Sequence, residues 1–234
     1  MGIFIDAFRG GLAMLVSGAA DVWTIVLVSV QVSGAAVLLA LVLGIPIGFM
    51  LGTKRFVGRR MMLVIANTGM GLPPVVVGLV VAMLLSRRGP LGSLELLYSR
   101  PAMVIAQLVI AVPMVAAVSA AAVSAVPREL RLQARSLGAS PLQVAIMTLR
   151  EARMGLLASV AAGFGSIISE VGAVTMVGGN LAGKTRVMTT AIVQYTRMGD
   201  YGAALALAVV LMAMVLAVNI LLTRVQQSAE RYEQ

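Results

Sequence analysis

The sequence predicts an all-α membrane protein with about five transmembrane helices, and three observations support this fold class. Of its 234 residues 60% are hydrophobic and 12% charged, and the mean hydropathy of +1.00 is far above that of soluble domains. Basic residues lie mostly in short loops. Four windows without any charged residue reach the ~20 residues that a helix needs to cross a bilayer. They are residues 22–53, 61–86, 101–127 and 201–223.

A fifth span is predicted over residues 154–177, where Glu170 is the one charged residue. In the first span, the run from Gly44 to Gly48 with Pro46 at its centre predicts a kink or loose packing at the inner end; close packing of neighbouring helices on small residues is the alternative for most positions of this span. Residues 1–20 mix charged and apolar side chains, so we expect them to lie along the membrane interface and to belong to the mature protein. The whole chain, residues 1–234, is then a single transmembrane domain.

The basic residues report membrane topology. The chain has 18 Lys and Arg against nine Asp and Glu, a net charge of +9. With the N-terminus outside, 11 of the 18 fall on the cytoplasmic side and seven outside, as the positive-inside rule requires. We therefore expect a multi-pass protein of the bacterial plasma membrane with its C-terminus inside, and no nucleic-acid partner.

Several kinds of chemistry are excluded by residue content. The chain has no cysteine and no histidine, which rules out disulfides, thiolate or imidazole metal sites, and catalysis by either side chain. No phosphate-binding Walker loop occurs. We expect no catalytic residue, metal site or cofactor in this chain, so any ATP and Mg²⁺ must be bound by a separate ATPase.

The second window should be broken near its middle. Gly69 and Gly71 are followed by Pro73 and Pro74, which an unbroken helix does not accommodate. Broken backbone at membrane depth often marks a substrate path in transporters; a purely structural kink is the alternative. The candidate pathway residues here are Asn67, Thr68 and Gly69.

Glu170 is the one ionisable side chain well inside a predicted span. A carboxylate there costs several kcal/mol unless it meets water or a partner, so it is a functional candidate. The alternative is a structural clamp against Lys184, Arg186 or backbone donors. Glycines follow Glu170, so the chain should leave helical geometry near the outer face and could form a gate. The candidate pathway or gate residues here are Ser169, Glu170, Gly172, Thr175, Gly178, Gly179 and Asn180.

The polar stretch 127–153 is predicted to form two short helices on the cytoplasmic side. Pro127 opens the first and Gly138 ends it. Ser140 then caps the second helix, with Pro141 at its first position and Gln143 completing a capping box. A membrane protein without its own motor needs such a basic helical surface for docking.

This stretch resembles the EAA loop of bacterial ABC importer permeases. Ala134 and Gly138 match the second Ala and the Gly of that motif; Leu132, Gln133 and Arg150 replace its Glu, first Ala and Pro. The resemblance implies that this loop couples the permease to an ATPase. The implied coupling residues are Leu132, Gln133, Ala134, Arg135, Leu137, Gly138, Ala139, Ser140 and Pro141.

The segments 168–180, 185–187 and 189–192 resemble the permeases of tungstate importers, and less closely those for molybdate and sulfate. The resemblance implies a type I ABC importer permease fold and a homodimer. Each subunit would dock one cytoplasmic ABC ATPase through the loop 127–153, which acts as a coupling loop, and an extracytoplasmic binding protein would deliver the oxyanion.

We therefore expect the permease subunit of an ATP-driven importer for a small oxyanion, tungstate first, working by alternating access. Molybdate, sulfate or phosphate are alternative substrates, and a self-sufficient anion channel, a secondary transporter or a membrane scaffold are alternative functions. Since no Lys or Arg lies within the four charge-free windows, selectivity would rest with the binding protein. Hydroxyls such as those of Thr68, Ser169 and Thr175 would offer weak, passing contacts.

Overall fold

The computed structural model describes residues 20–230 together with Arg9 and Gly11. The interfacial placement expected for residues 1–20 therefore concerns residues most of which lie outside the described part. Within that part the chain forms ten α-helices and one short 3₁₀ turn, and no β-strand. The predicted all-α class is confirmed.

The helices follow one another with short connections. In chain order they are α1 Ala20–Thr53, α2 Arg59–Met70, α3 Pro74–Leu85, α4 Arg100–Ala125, α5 Arg128–Ser136, α6 Pro141–Glu151, α7 Arg153–Ile168, α8 Gly172–Gly178, α9 Met188–Arg197 and α10 Tyr201–Glu230. The 3₁₀ turn, Gly92–Leu94, lies between α3 and α4.

Three helices are long and apolar enough to cross a membrane alone, namely α1, α4 and α10. Two bent pairs bring the number up to five if each pair is counted as one span: α2 with α3, bent by 106°, and α6 with α7, bent by 68°. The predicted five spans are the upper end of this range. The fifth predicted window, however, is divided between α7 and the short helix α8.

The helix α4 is central, and α1 packs along it through three glycines. A Cβ added at Gly44 would lie 2.8 Å from Val115 Cβ, and one added at Gly52 would lie 2.9 Å from Val123 Cβ. The contacting residue numbers rise together along both helices, so α1 and α4 run parallel. The glycine spacing of four residues allows close approach where no hydrophobic force drives association.

The expected loose packing at the inner end of α1 is wrong, whereas the kink stays a prediction. The helix is continuous through Pro46, and the third glycine of the row, Gly48, is packed so closely that an added Cβ would lie 2.5 Å from Ser119 Cβ. The glycines of this run serve the contact with α4, which a sequence window by itself does not reveal.

The helix α4 also packs against α7, which runs antiparallel to it and contacts α1 as well. A Cβ at Gly155 would lie 2.4 Å from Ala122 Cβ, and Ser119 Oγ donates to Ser159 Oγ at 3.1 Å. The helices α1 and α4 both end at the membrane face where α5 and α6 lie, and the connection between α3 and α4 lies at the opposite face. The sequence predicts that the first of these faces is the cytoplasmic one.

The α1–α4 contact predicts that Gly48→Leu lowers stability. The new side chain would collide with Ser119 and with the carbonyl of Ala116, and overpacking of this kind costs about 1–3 kcal/mol. Gly34→Leu is the matched control, because nothing lies within 4 Å of its added Cβ. Thermal melting of both purified variants should show a lower Tm for Gly48→Leu alone; equal melting temperatures would contradict the tight contact.

Candidate functional site

The predicted coupling loop, residues 127–153, has the local fold that the sequence predicts. Between α5 and α6, Gly138 adopts φ +85° and its N–H donates to the Arg135 carbonyl at 3.0 Å. Ser140 Oγ accepts from Gln143 N at 3.3 Å, and Gln143 Oε1 accepts from Ser140 N at 2.7 Å. The predicted capping box and the Pro141 helix start are therefore confirmed. A positive φ in open space suits glycine best.

The turn between these helices presents apolar side chains to its surroundings. Leu137 is 88% exposed and Leu142 70% exposed, and Leu132 and Ile146 are exposed too. The structure brings all nine predicted coupling residues together in α5, the turn and the first position of α6, and none of them is buried. A contiguous apolar tip on a polar loop is typical of an interaction surface.

The break in the second span lies where it is predicted. Asn67, Thr68 and Gly69 form the last turn of α2, and the chain resumes helical geometry at Pro74. Gly69 is buried against α4. A Cβ added there would lie 2.3 Å from Pro113 Cβ. Asn67 and Thr68 are exposed, and neither side chain has a hydrogen-bond partner among the described residues. They offer free polar groups at membrane depth.

The two interrupted regions meet in space. A Cβ at Gly78 of α3 would lie 2.6 Å from Ala173 Cα of α8, and one at Gly172 would lie 2.8 Å from Val75 Cγ2. Sequence analysis missed Gly78. Its signal is a single glycine inside the apolar run from Val75 to Val81, where a close approach of backbones is the usual reason for glycine.

Glu170 caps the short helix α8. Its side chain is 7% exposed, and Oε1 accepts from Ala173 N at 2.8 Å, which gives an otherwise unpaired helix N–H an acceptor. The Glu170 carbonyl accepts from Thr189 Oγ1 at 2.9 Å. The carboxylate thus contacts a backbone donor, as in one form of the structural alternative, rather than Lys184 or Arg186.

The predicted outer turn is held by side-chain hydrogen bonds. Gly179 has φ +70° and Asn180 φ +50°. Asn180 Nδ2 donates to Gln194 Oε1 at 2.6 Å, and Asn180 Oδ1 accepts from Thr190 Oγ1 at 2.8 Å. Thr185 Oγ1 donates to the Gly178 carbonyl at 2.6 Å. These bonds fix the turn at the end of α8. Gly178 itself packs against Met103, whose Cγ would lie 2.9 Å from an added Cβ.

The hydroxyls of Ser169 and Thr175 are already used as donors. Ser169 Oγ donates to the Gly165 carbonyl at 2.7 Å, and Thr175 Oγ1 to the Val171 carbonyl at 2.6 Å. A hydroxyl has one proton, so neither group can donate to an anion without losing its helix bond. Of the three hydroxyls expected to contact the substrate, only that of Thr68 has its proton free within the described chain.

A buried polar cluster beside Glu170 escaped the sequence analysis. Gln107 is 3% exposed; its Nε2 donates to the Ile167 carbonyl at 3.3 Å, and its Oε1 has no partner. It lines a cavity of about 10 Å³, which accommodates roughly one water molecule. The other polar residues around it are Ser29, Ser33, Glu170 and Thr189. Gln107 is the only amide side chain in the window 101–127, a signal that was available.

The described part of the chain contains no group of three or more acidic, cysteine or histidine side chains that could hold a metal ion. The residues predicted to be functional lie in two separate regions: the loop 127–153 at one membrane face, and the meeting point of α3 and α8.

Comparison with known proteins decides the family. Residues 44–231 match the family described as binding-protein-dependent transport system inner membrane component. The chain belongs to this family. It is therefore an ABC importer permease subunit, a transport component and a multi-pass protein of the inner membrane.

Relatives agree with this assignment. A probable anion ABC transporter permease protein of Haloferax volcanii is 43% identical over 85% of this permease and 88% of its own length. The tungstate uptake system permease protein TupB of Peptoclostridium acidaminophilum is 40% identical over 95% of this permease and 97% of its own length.

The fold has a counterpart of known structure. An inward-facing MetNI methionine ABC transporter superposes with a TM-score of 0.70 at 20% identity, over 92% of this permease and 97% of that chain. At this identity the likeness concerns the fold alone, and it confirms the predicted type I importer permease architecture.

Two substitutions of Glu170 can distinguish the effect of its hydrogen bond to Ala173 N from the effect of its negative charge. Glu170→Gln keeps an oxygen acceptor for Ala173 N, whereas Glu170→Ala removes it at a cost of about 0.5–2 kcal/mol. We expect Glu170→Gln to retain both the melting temperature and the uptake rate of the wild type, and Glu170→Ala to melt earlier. A Gln variant that melts normally but transports poorly would assign the negative charge a role in transport.

Proposed function

We propose that this permease imports tungstate by ATP-driven alternating access. The observation that supports the substrate is the 40% identity, over nearly the full length of both chains, to a tungstate uptake permease. Molybdate, sulfate and phosphate are the alternative tetrahedral oxyanions. An extracytoplasmic binding protein selects the anion and delivers it to the outer face.

In this proposal a separate ABC ATPase binds ATP and Mg²⁺ and docks on the coupling loop. The exposed Leu137 and Leu142 would be buried against the ATPase. The fixed turn at Gly138 would pass the movement of the ATPase on to the permease. The capping box at Ser140 supports this role, because a turn held by two reciprocal bonds moves as one piece with α6. The coupling residues are the nine named from the EAA resemblance.

The proposed pathway runs past the meeting point of α3 and α8. The exposed side chains of Asn67 and Thr68 would face it, and the turn at Gly178, Gly179 and Asn180 would close it toward the outside. Weak contacts suit this path, since an anion held by several cations would leave slowly, and the four charge-free windows carry no Lys or Arg.

We further propose a homodimer, with the pathway between two copies. In a single chain the apolar window of α10 is only 11% buried, and Asn67 and Thr68 have no partners, so lipid or a second copy must cover these surfaces. A homodimer also supplies two coupling loops for the two ATPase subunits of an ABC transporter.

The docking role predicts that Gly138→Glu abolishes uptake and ATPase association while the protein still reaches the membrane. The new glutamate side chain would occupy the turn, and any side chain there would strain a backbone at φ +85°. Gly199→Glu is the matched control: its φ is +78° and nothing lies within 4 Å of its added Cβ, but it lies on the outer side. Co-purification of the ATPase and uptake assays measure both effects; normal transport by Gly138→Glu would refute the docking role.

The substrate proposal predicts selective loss of tungsten. Cells with and without this chain, offered tungstate and molybdate together, are compared by elemental mass spectrometry, with Gly138→Glu as the inactive variant. Tungsten accumulation should fall to background in cells that lack this chain and in cells with the Gly138→Glu variant, while molybdenum accumulation stays unchanged. If tungsten uptake persists in the null, the tungstate assignment is wrong; if molybdenum falls instead, molybdate is the substrate.

A further inference from the structure

A large basic cavity lies on the cytoplasmic side, between the end of α1, the start of α2 and the helices α5 and α6. Its volume is about 630 Å³, within the range of small-ligand sites. Six cationic side chains from two distant segments line it, and no acidic side chain does. The six are Lys54, Arg55, Arg59, Arg128, Arg131 and Arg135.

These cations are not neutralised by the described part of the chain. Arg59 Nε donates to the Leu51 carbonyl at 2.7 Å, and the other five side chains make no hydrogen bond or ion pair there. The positive-inside bias explains why basic residues lie in these loops, but not why two loops about 70 residues apart in the chain converge on one cavity. Six like charges that line one cavity repel one another, and a bound anionic group would offset that repulsion.

We propose that this cavity binds the phosphate of an acidic phospholipid head group. It lies where α1 ends and α2 begins, hence at the level of the cytoplasmic membrane surface. Basic pockets between transmembrane helices on this side bind anionic head groups, and the guanidinium forks of Arg128 and Arg131 suit bidentate contacts to phosphate oxygens.

The connection next to the cavity supports lipid as the source of the phosphate. Phe56 and Val57 are exposed and stand between the basic pairs Lys54–Arg55 and Arg59–Arg60. Apolar side chains flanked by cations are typical of a segment at the boundary between head groups and acyl chains. A free cytoplasmic anion has no acyl chain and would not contact these apolar side chains.

The ATPase is a weaker candidate for the occupant. Arg128, Arg131 and Arg135 recur at three and four residues, so they share one face of α5, and they line the cavity with Gly52 and Thr53 of α1. Arg135 is also one of the nine proposed coupling residues, so the assignment to lipid rests on Arg128 and Arg131. The exposed apolar tip at Leu137 and Leu142 lies at the turn beyond α5. A head group in the cavity would tie the membrane-embedded α1 to α5, and would thereby stiffen the base of the coupling loop. The inference does not depend on which anion is imported.

The test measures lipid retention by the full-length protein. The permease is purified with phosphatidylcholine or with added phosphatidylglycerol, and bound lipid is counted by native mass spectrometry. The double variant Arg128→Gln/Arg131→Gln should retain roughly tenfold less phosphatidylglycerol, as expected for the loss of charge-assisted bonds. The matched control, Arg87→Gln/Arg88→Gln, removes the same charge from exposed arginines of the outer connection and should retain the wild-type amount.

Thermal melting supplies a second readout within each protein, so that a destabilised variant still gives an answer. Phosphatidylglycerol should raise the Tm of the wild type and of the control, but not that of the double variant. Three results would overturn the proposal: equal lipid loss in both double variants, displacement of the lipid by millimolar inorganic phosphate or tungstate, or its displacement when the ATPase binds. The last two would assign the cavity to a free anion or to the ATPase.

Discussion

The close contact between α1 and α4 is the constraint on which the rest of the structure depends. Within lipid no hydrophobic force drives two apolar helices together, so close packing must supply the attraction. The row of Gly44, Gly48 and Gly52 lets α1 lie directly on α4, and α4 then offers its other surfaces to α2, α7 and α8. Because α1 and α4 run parallel and end at the same membrane face, this contact also places the first loop beside the coupling helices.

A second constraint explains the interrupted spans. Backbone N–H and C=O groups at membrane depth must find partners within the protein, and both breaks satisfy this requirement locally. The α2–α3 break uses Pro73 and Pro74, which have no N–H to satisfy, whereas α8 receives a cap from Glu170. Glycines at positions 78 and 172 then let the two broken regions pack on each other. An interruption that looks costly in one helix is thus stabilised by a second interruption beside it.

The functional regions were predictable from the sequence to different extents. The coupling loop was predicted in detail, because its capping box, proline start and glycine turn are local signals that act within a few residues. The break at Gly69 to Pro74 was predicted for the same reason. Glu170 was singled out correctly as unusual, but its partner was not identified, since the choice between Lys184, Arg186 and a backbone N–H depends on how α8 is oriented. Gln107 was missed because its importance comes from Ile167, sixty residues away.

The sequence by itself determined the membrane class, the all-α fold and the two-helix loop, because these follow from composition and from short-range backbone chemistry. Only the tertiary structure decided that the glycines of α1 pack closely against α4, that α3 meets α8, and that six cations converge on one cavity. Each of these depends on contacts between segments far apart in the chain, and hydropathy along a window carries no information about which helices become neighbours.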